Sequence, residues 1–167
     1  MTENNSLLNK ETIATIDHWL KKYPEKEKRS AVIAALTAAQ KQNQGWLSPE
    51  LMDAVADYLG LPKVWVYEVA TFYDMYDLKA VGKHKIRVCT NISCMLRGAD
   101  KIVDCLQKKL DIGFNETSAD GLFTLKESEC LAACVKAPMM QVDLDYYEDL
   151  TPEKVEQIID QIKQVKD

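Results

Sequence analysis

Four cysteines in two short pairs, Cys89-x4-Cys94 and Cys130-x3-Cys134, are the residues of this chain whose type and spacing could do chemistry. Thirty-five residues separate the pairs, so a fold has to bring them together. Four thiolates with no histidine beside them in sequence leave two inorganic centres, a tetrahedral zinc ion or an iron–sulfur cluster. Structural zinc sites draw each pair from a tight C-x2-4-C knuckle, and the present spacings lie at the loose end of that range. A [2Fe-2S] rhomb takes two thiolates on each iron, for which two separated pairs are a natural supply. The spacing leaves zinc open, and it leaves open which cysteine meets which iron. Around Cys94 and Cys134 the chain is small and polar, with Thr90, Asn91, Ser93, Ala132 and Ala133. Backbone N–H groups can therefore approach the sulfurs, which stabilises a reduced cluster.

Other chemistries lack their residues. A thioredoxin-type dithiol needs C-x2-C, and a Rieske centre needs two histidine ligands. The two histidines, His18 and His84, are expected to be structural or exposed. Cys105 lies three residues after Ile102 on one helical face and reads as a small core residue, a supernumerary fifth thiol. No G-x-G-x-x-G follows a strand and no G-x4-G-K-[ST] occurs, so neither a dinucleotide nor a nucleoside triphosphate has a cradle. No catalytic triad is supported.

Composition narrows the class further. The 167 residues suffice for one good core or two small ones, and 47% hydrophobic with 28% charged residues is ordinary for a folded soluble protein. A net charge of −5 and no basic stripe argue against nucleic acid as a partner. The start, MTENNSLLNKETIATIDHW, lacks a basic stretch followed by an apolar one, and no uncharged apolar run reaches ~18 residues. Neither export nor direct membrane insertion is expected. An odd cysteine count of five without a secretion signal favours metal or redox chemistry over disulfides, in the reducing cytoplasm.

The elements that must position the cysteines follow from periodicity. Ile13, Ile16, Trp19 or Leu20, and Tyr23 predict a helix from Thr12 that Pro24 closes, followed by a solvated EKEKR stretch. Val32, Ile33, Leu36 and Ala39 predict a second helix, stopped near Gly45. Ser48 as N-cap, Pro49 at the first position and a Leu47–Met52 staple start a third, with Leu51, Val55, Tyr58 and Leu59 as its apolar face and Gly60 as its stop. The fourth segment, VWVYEVATFYDMY after Pro62, is apolar nearly all round and should be buried, in the core or in part against another subunit of an assembly. Near residue 80 the character changes. HKIRVC alternates as a strand ending at Cys89; a loop TNISC leads to a helix with Ile102, Leu106 and Leu110 on one side. After a turn at Asp120-Gly121, LFTLKES is a strand arriving at Cys130, and MMQVDL a third strand. DLDYYEDL, residues 143–150, reads as solvated edge or as a partner-facing patch anchored by Tyr146 and Tyr147. Thr151-Pro152-Glu153 opens a last helix with Val155, Ile158, Ile159, Ile162 and Val165 inward and Leu150 stapled to Val155. The order from His84 is strand, helix, strand, strand, helix, a small mixed sheet covered by two helices.

With these motifs placed, five stretches carry a resemblance: QGWLSPE, VYEVATFYDMY, VGKHKIRVCTNISCMLRGAD, ECLAACVKAPMMQVD and YYEDLTPEKVEQII. In this order, over almost the whole chain, they resemble the [2Fe-2S] subunit family of NADH–quinone oxidoreductase, respiratory complex I, which includes the mitochondrial flavoprotein 2 proteins. The resemblance implies an α+β fold, with an N-terminal helical bundle over residues 1–80 and a thioredoxin-like [2Fe-2S] ferredoxin domain with a small mixed sheet over 81–167. It implies that Cys89, Cys94, Cys130 and Cys134 hold one [2Fe-2S] cluster and that Cys105 does not. FMN and NADH would lie on a partner, the flavoprotein subunit of complex I, with a multi-cluster subunit next to it. The cluster would sit near the flavin but off the main electron path, in a peripheral arm on the cytoplasmic face (the matrix side in an organelle). Similar modules serve NAD-linked hydrogenases and formate dehydrogenases, which gives one alternative host; a zinc-stabilised binding module is a remote one. One residue departs from the family: where E-C-L-G-x-C is common, this chain has Ala132 between Leu131 and Ala133. If the backbone there needs a positive φ, alanine costs about 1 kcal/mol and its methyl could crowd the cluster.

Overall fold

The computed structural model describes residues 7–164; Val165, expected in the last helix, and the first six residues of the start lie outside the described residues. The chain divides into two compact units, Met1–Ala80 and Val81–Asp167.

The first unit is helical. Helix α1, Lys10–Leu20, starts two residues earlier than the apolar periodicity suggested because Asn9 caps it, its side chain accepting from the N–H of Thr12 at 2.8 Å. The EKEKR stretch forms a 3-10 segment, Glu25–Ala31, leading into α2, Val32–Gln42. Ser48 caps α3, Pro49–Leu59, and Gly60 ends it at φ 64°, a left-handed conformation that glycine adopts without steric cost. The staple residues Leu47 and Met52 are both buried. Helix α4 spans Lys63–Phe72.

Burial corrects three expectations here. The expected core segment 64–76 buries only Val66, Ala70 and Tyr76, while Val64, Trp65, Phe72 and Tyr73 are exposed. Composition set the total apolarity of this helix, but one face of a four-helix arrangement is enough to fill the core. Ile33 and Tyr58 also lie outside the core; Tyr58 instead donates its hydroxyl to Asp17 at 2.7 Å, tying α3 to α1.

The second unit contains a five-stranded mixed sheet in the order β2-β3-β1-β4-β5. Its strands are β1 His84–Cys89, β2 Glu116–Thr117, β3 Phe123–Ser128, β4 Met140–Val142 and β5 Asp145–Tyr147. The central strand β1 pairs in parallel with β3, His84 facing Phe123 and Cys89 facing Ser128, and antiparallel with β4. A parallel neighbour requires a crossover. It is supplied by a short helix α5, Ile92–Leu96, in the stretch read as loop, and by α6, Ala99–Leu110. Gly82 admits the chain at the sheet's start: a Cβ there would stand 2.8 Å from the Phe123 carbonyl carbon, so only glycine fits.

The apolar positions fill as the pattern predicts. Ile86, Val88, Phe123, Leu125, Met140 and Val142 from the sheet meet Ile102, Leu106 and Leu110 of α6 and Val155 and Ile159 of α7, Pro152–Gln164. Each fully buried side chain of this size contributes ~1.5–3 kcal/mol. Thr151 caps α7 by accepting from the N–H of Lys154 at 3.3 Å. Strands β2 and β5 escape the periodicity because they are short and lie at the sheet edges, where neither face has to be apolar. The edge of DLDYYEDL is thus a paired strand, with Tyr147 leaning on the core and Tyr146 half exposed. The fold class is the mixed one expected, and among the described residues no helix is long and apolar enough to cross a membrane.

Candidate metal centre

The strand register does the first part of the positioning. Cys89 is the last residue of the central strand and stands opposite Ser128, so Cys130 lies only two residues beyond that neighbouring strand end. Cys89 is buried, and its N–H donates to the carbonyl of Met139 at 3.2 Å. Asn91 then turns the chain into α5 by accepting from the N–H of Ile92 at 2.7 Å, and Cys94 sits buried within that helix. Cys89, Cys94, Ala99, Leu131, Ala137 and Met139 form one small apolar cluster, separate from the main core of the sheet, with Ala133 against it.

The second pair is placed differently. Cys130 and Cys134 are exposed, Cys134 opening a single 3-10 turn, Cys134–Lys136. Between them Ala132 has φ 60°, and its N–H donates to the Cys130 Sγ at 3.3 Å. The positive φ set as a condition is therefore present, and an L-alanine there costs about 1 kcal/mol relative to glycine. The loop then returns to the sheet through the cis Ala137–Pro138 peptide. Asp149 and Leu150 anchor that return, donating to the carbonyls of Lys136 and Pro138 at 2.8 and 2.9 Å.

The electrostatics show the Cys94 sulfur acted on by its neighbours. Burial, then a hydrogen bond to Cys89 and the charge that Cys89 would carry, push the Cys94 thiol up to about 11, with a smaller push from Cys134. The N–H of Met139 opposes this by donating to the Cys94 sulfur. Thiols crowded in an apolar pocket resist ionising together unless a cation joins them, which is the environment a metal centre relieves. Four thiols offered as two separate pairs suit a two-iron centre. The donor set, four thiols and no histidine, fits a [2Fe-2S] cluster.

The other candidates fall elsewhere. Cys105 is half-buried on α6, its thiol donating to the Pro152 carbonyl at 3.5 Å, and burial holds its pKa up. His84 pairs through Nδ1 with Asp143 at 2.8 Å, while His18 lies exposed in the last turn of α1. Two groups at the centre escaped the sequence reading, Met139 and Arg97. Met139 acts through its backbone, which no residue type advertises; Arg97 follows α5, whose Asn91 cap was a legible signal.

The model of the thioredoxin-like [2Fe-2S] ferredoxin family matches residues 16–163. The chain belongs to that family. Among curated ferredoxin-family relatives it is 47% identical to the E subunit of NADH-quinone oxidoreductase from Rickettsia conorii, over 95% of each chain. It is 44% identical to NADH dehydrogenase [ubiquinone] flavoprotein 2, mitochondrial, of Dictyostelium discoideum, over 93% of this chain and 63% of that one. Among solved structures, an NAD+-reducing [NiFe]-hydrogenase in its air-oxidised state contains the same fold, with a TM-score of 0.67 at 17% identity. That match covers 78% of this ferredoxin-family chain and 23% of the hydrogenase polypeptide.

Proposed function

We propose that this chain is the [2Fe-2S] electron-transfer subunit of the NADH dehydrogenase module of NADH–quinone oxidoreductase, contributing to an oxidoreductase without an active site of its own. The observation that carries this reading is near-full-length identity to the rickettsial oxidoreductase relative, at 47% over 95% of each chain, joined to four thiols set at one end of the sheet. The hydrogenase is alike in fold alone, so it leaves the NAD-linked hydrogenase and formate dehydrogenase hosts as alternatives without adding weight to them.

In this reading Cys89, Cys94, Cys130 and Cys134 are the cluster's ligands, the second unit (81–167) is the cluster domain and the first (1–80) a helical bundle. The cluster supplies one-electron chemistry. The chain's own residues bind it and temper its charge: the N–H groups of Met139 and Ala132 aim at the sulfurs of Cys94 and Cys130. Among the polar residues beside the ligands four apolar side chains are exposed, Ile92 65%, Met95 56%, Leu96 77% and Val135 84%. Four exposed apolar side chains within three residues of Cys94 or Cys134, beside a redox centre, suit a protein partner.

That partner is a flavoprotein subunit holding FMN and NADH, beside a multi-cluster subunit, in a peripheral arm at the cytoplasmic face of the membrane. The absence of nucleotide motifs in the present chain agrees with cofactors held by a neighbour. Affinity purification of the full chain from its own host tests the reading. An FMN-containing subunit should co-purify with NADH-reducible flavin, and Leu96→Asp should weaken that association by about tenfold or more through loss of an apolar contact. Recovery of a hydrogenase or formate dehydrogenase flavoprotein would transfer the chain to that host instead.

A further inference from the structure

Each ligand pair has its own tether to the sheet, and one side chain spans the gap between them. Arg97 stands three residues after Cys94, and its own N–H donates to the Cys94 carbonyl at 3.1 Å. Its guanidinium reaches across to the second loop, where Nη1 donates to the carbonyl of Val135, the residue after Cys134, at 3.3 Å. The side chain is thus tied at its root to one ligand residue and at its tip to the neighbour of another. The residues flanking it at the surface, Met95, Leu96 and Val135, are apolar and exposed, so partner docking would remove solvent from around the charge. The guanidinium fork is cationic and can hold a carbonyl while leaving donors over.

We propose that Arg97 is a positioning residue for the redox centre: it clamps the Cys94 loop to the Cys134 loop and fixes at the cluster's edge a positive charge that favours the reduced state. The proposal rests on the cluster assignment above. Reduction adds one electron and one unit of negative charge to the centre, with no proton required. A neighbouring cation therefore favours the product of that step over the starting state. For a charge in contact with solvent the effect is modest: exposed pairs are worth about 0.2–1 kcal/mol, which is a change of up to about fivefold in an equilibrium.

The test is an anaerobic redox titration of the full chain with dithionite and mediators, comparing wild type, Arg97→Lys and Arg97→Gln, with iron and sulfide content measured on each sample. At the wild-type midpoint, Arg97→Gln should show a reduced-to-oxidised ratio about two- to fivefold lower. Arg97→Lys, which keeps the charge, should stay near wild type. A ratio in Arg97→Gln equal to wild type, or an equal shift in both variants, would overturn the charge assignment. If both variants fail to hold iron while the wild type holds it, Arg97 is a folding residue only and the proposal is also wrong. A wild type without iron and sulfide would instead remove the cluster reading beneath it, so the two failures are distinguishable.

Discussion

The two cysteine pairs are made by different means. Cys89 and Cys94 are 3% and 2% exposed, one ending the central strand and the other inside a capped helix, so regular structure fixes them. Cys130 and Cys134 are exposed on irregular chain, held by a left-handed alanine, one 3-10 turn and backbone bonds returning to Lys136 and Pro138. A site built this way has one half integral to regular structure and one half on exposed, irregular chain. Damage to the first half should therefore cost the fold as well as the metal, and damage to the second should cost the metal alone.

The largest contrast comes from removing one ligand of each kind. Cys94→Ser and Cys130→Ser should both abolish or severely deplete iron and sulfide. Cys94→Ser should in addition lower the stability of the metal-free protein by about 1–3 kcal/mol, since it puts a hydroxyl into an apolar pocket. Cys130→Ser, at an exposed position, should leave metal-free stability within about 0.5 kcal/mol of wild type. Equal melting temperatures for the two metal-free variants would erase the distinction between the halves.

A smaller difference should appear with pH in the metal-free protein. The native Cys94 thiol is raised from 9.0 to about 11, chiefly by burial, so the folded state holds that proton more tightly than the unfolded chain does. Its contribution to stability is then fully present below about pH 9 and is lost as pH rises towards 11. Denaturant midpoints measured between pH 8 and 11 should fall more steeply for wild type than for Cys94→Ala.

How much of this was legible in the sequence divides along the same line. Strand β1, helix α6 and the capped helices α3 and α7 follow from periodicity and from Ser48, Gly60 and Thr151, because a buried face and a cap each leave a residue-type signature. The Cys89 position at a strand end was readable for that reason. The edge strands β2 and β5 were not, since two or three paired residues carry no period. Nor could composition reveal that α4 leaves Val64, Trp65 and Phe72 outside the core, because a helix apolar all round does not say which side has a neighbour. At the site, the four thiols and their spacing were legible, whereas the Met139 N–H and the reach of Arg97 depend on the register of β4 and on the loop that precedes it. Ala132 lay between the two cases: its cost was conditional on a backbone angle that sequence alone leaves unset.

That residue sharpens the comparison at smaller scale. Ala132→Gly should relieve the left-handed strain at φ 60° and raise metal-free stability by up to about 1 kcal/mol, partly offset by the greater freedom of glycine in the unfolded chain. The same substitution at buried Ala99, in the first turn of α6, should lower it by a similar amount. Thermal melts of both metal-free variants check the opposite signs. Cys105→Ser should have the smallest effect: unchanged iron and sulfide, and a loss of packing of about 1 kcal/mol or less at its half-buried site on α6. Iron loss matching that of Cys130→Ser would place the fifth cysteine at the centre after all.

The central claim is that the buried and the exposed pair together hold one two-iron cluster. Its most direct test is metal and acid-labile sulfide analysis of the anaerobically purified full chain, with EPR of the dithionite-reduced sample. About two irons and two sulfides per chain, with one rhombic signal from a single unpaired electron, are expected. One zinc per chain without sulfide would contradict the claim.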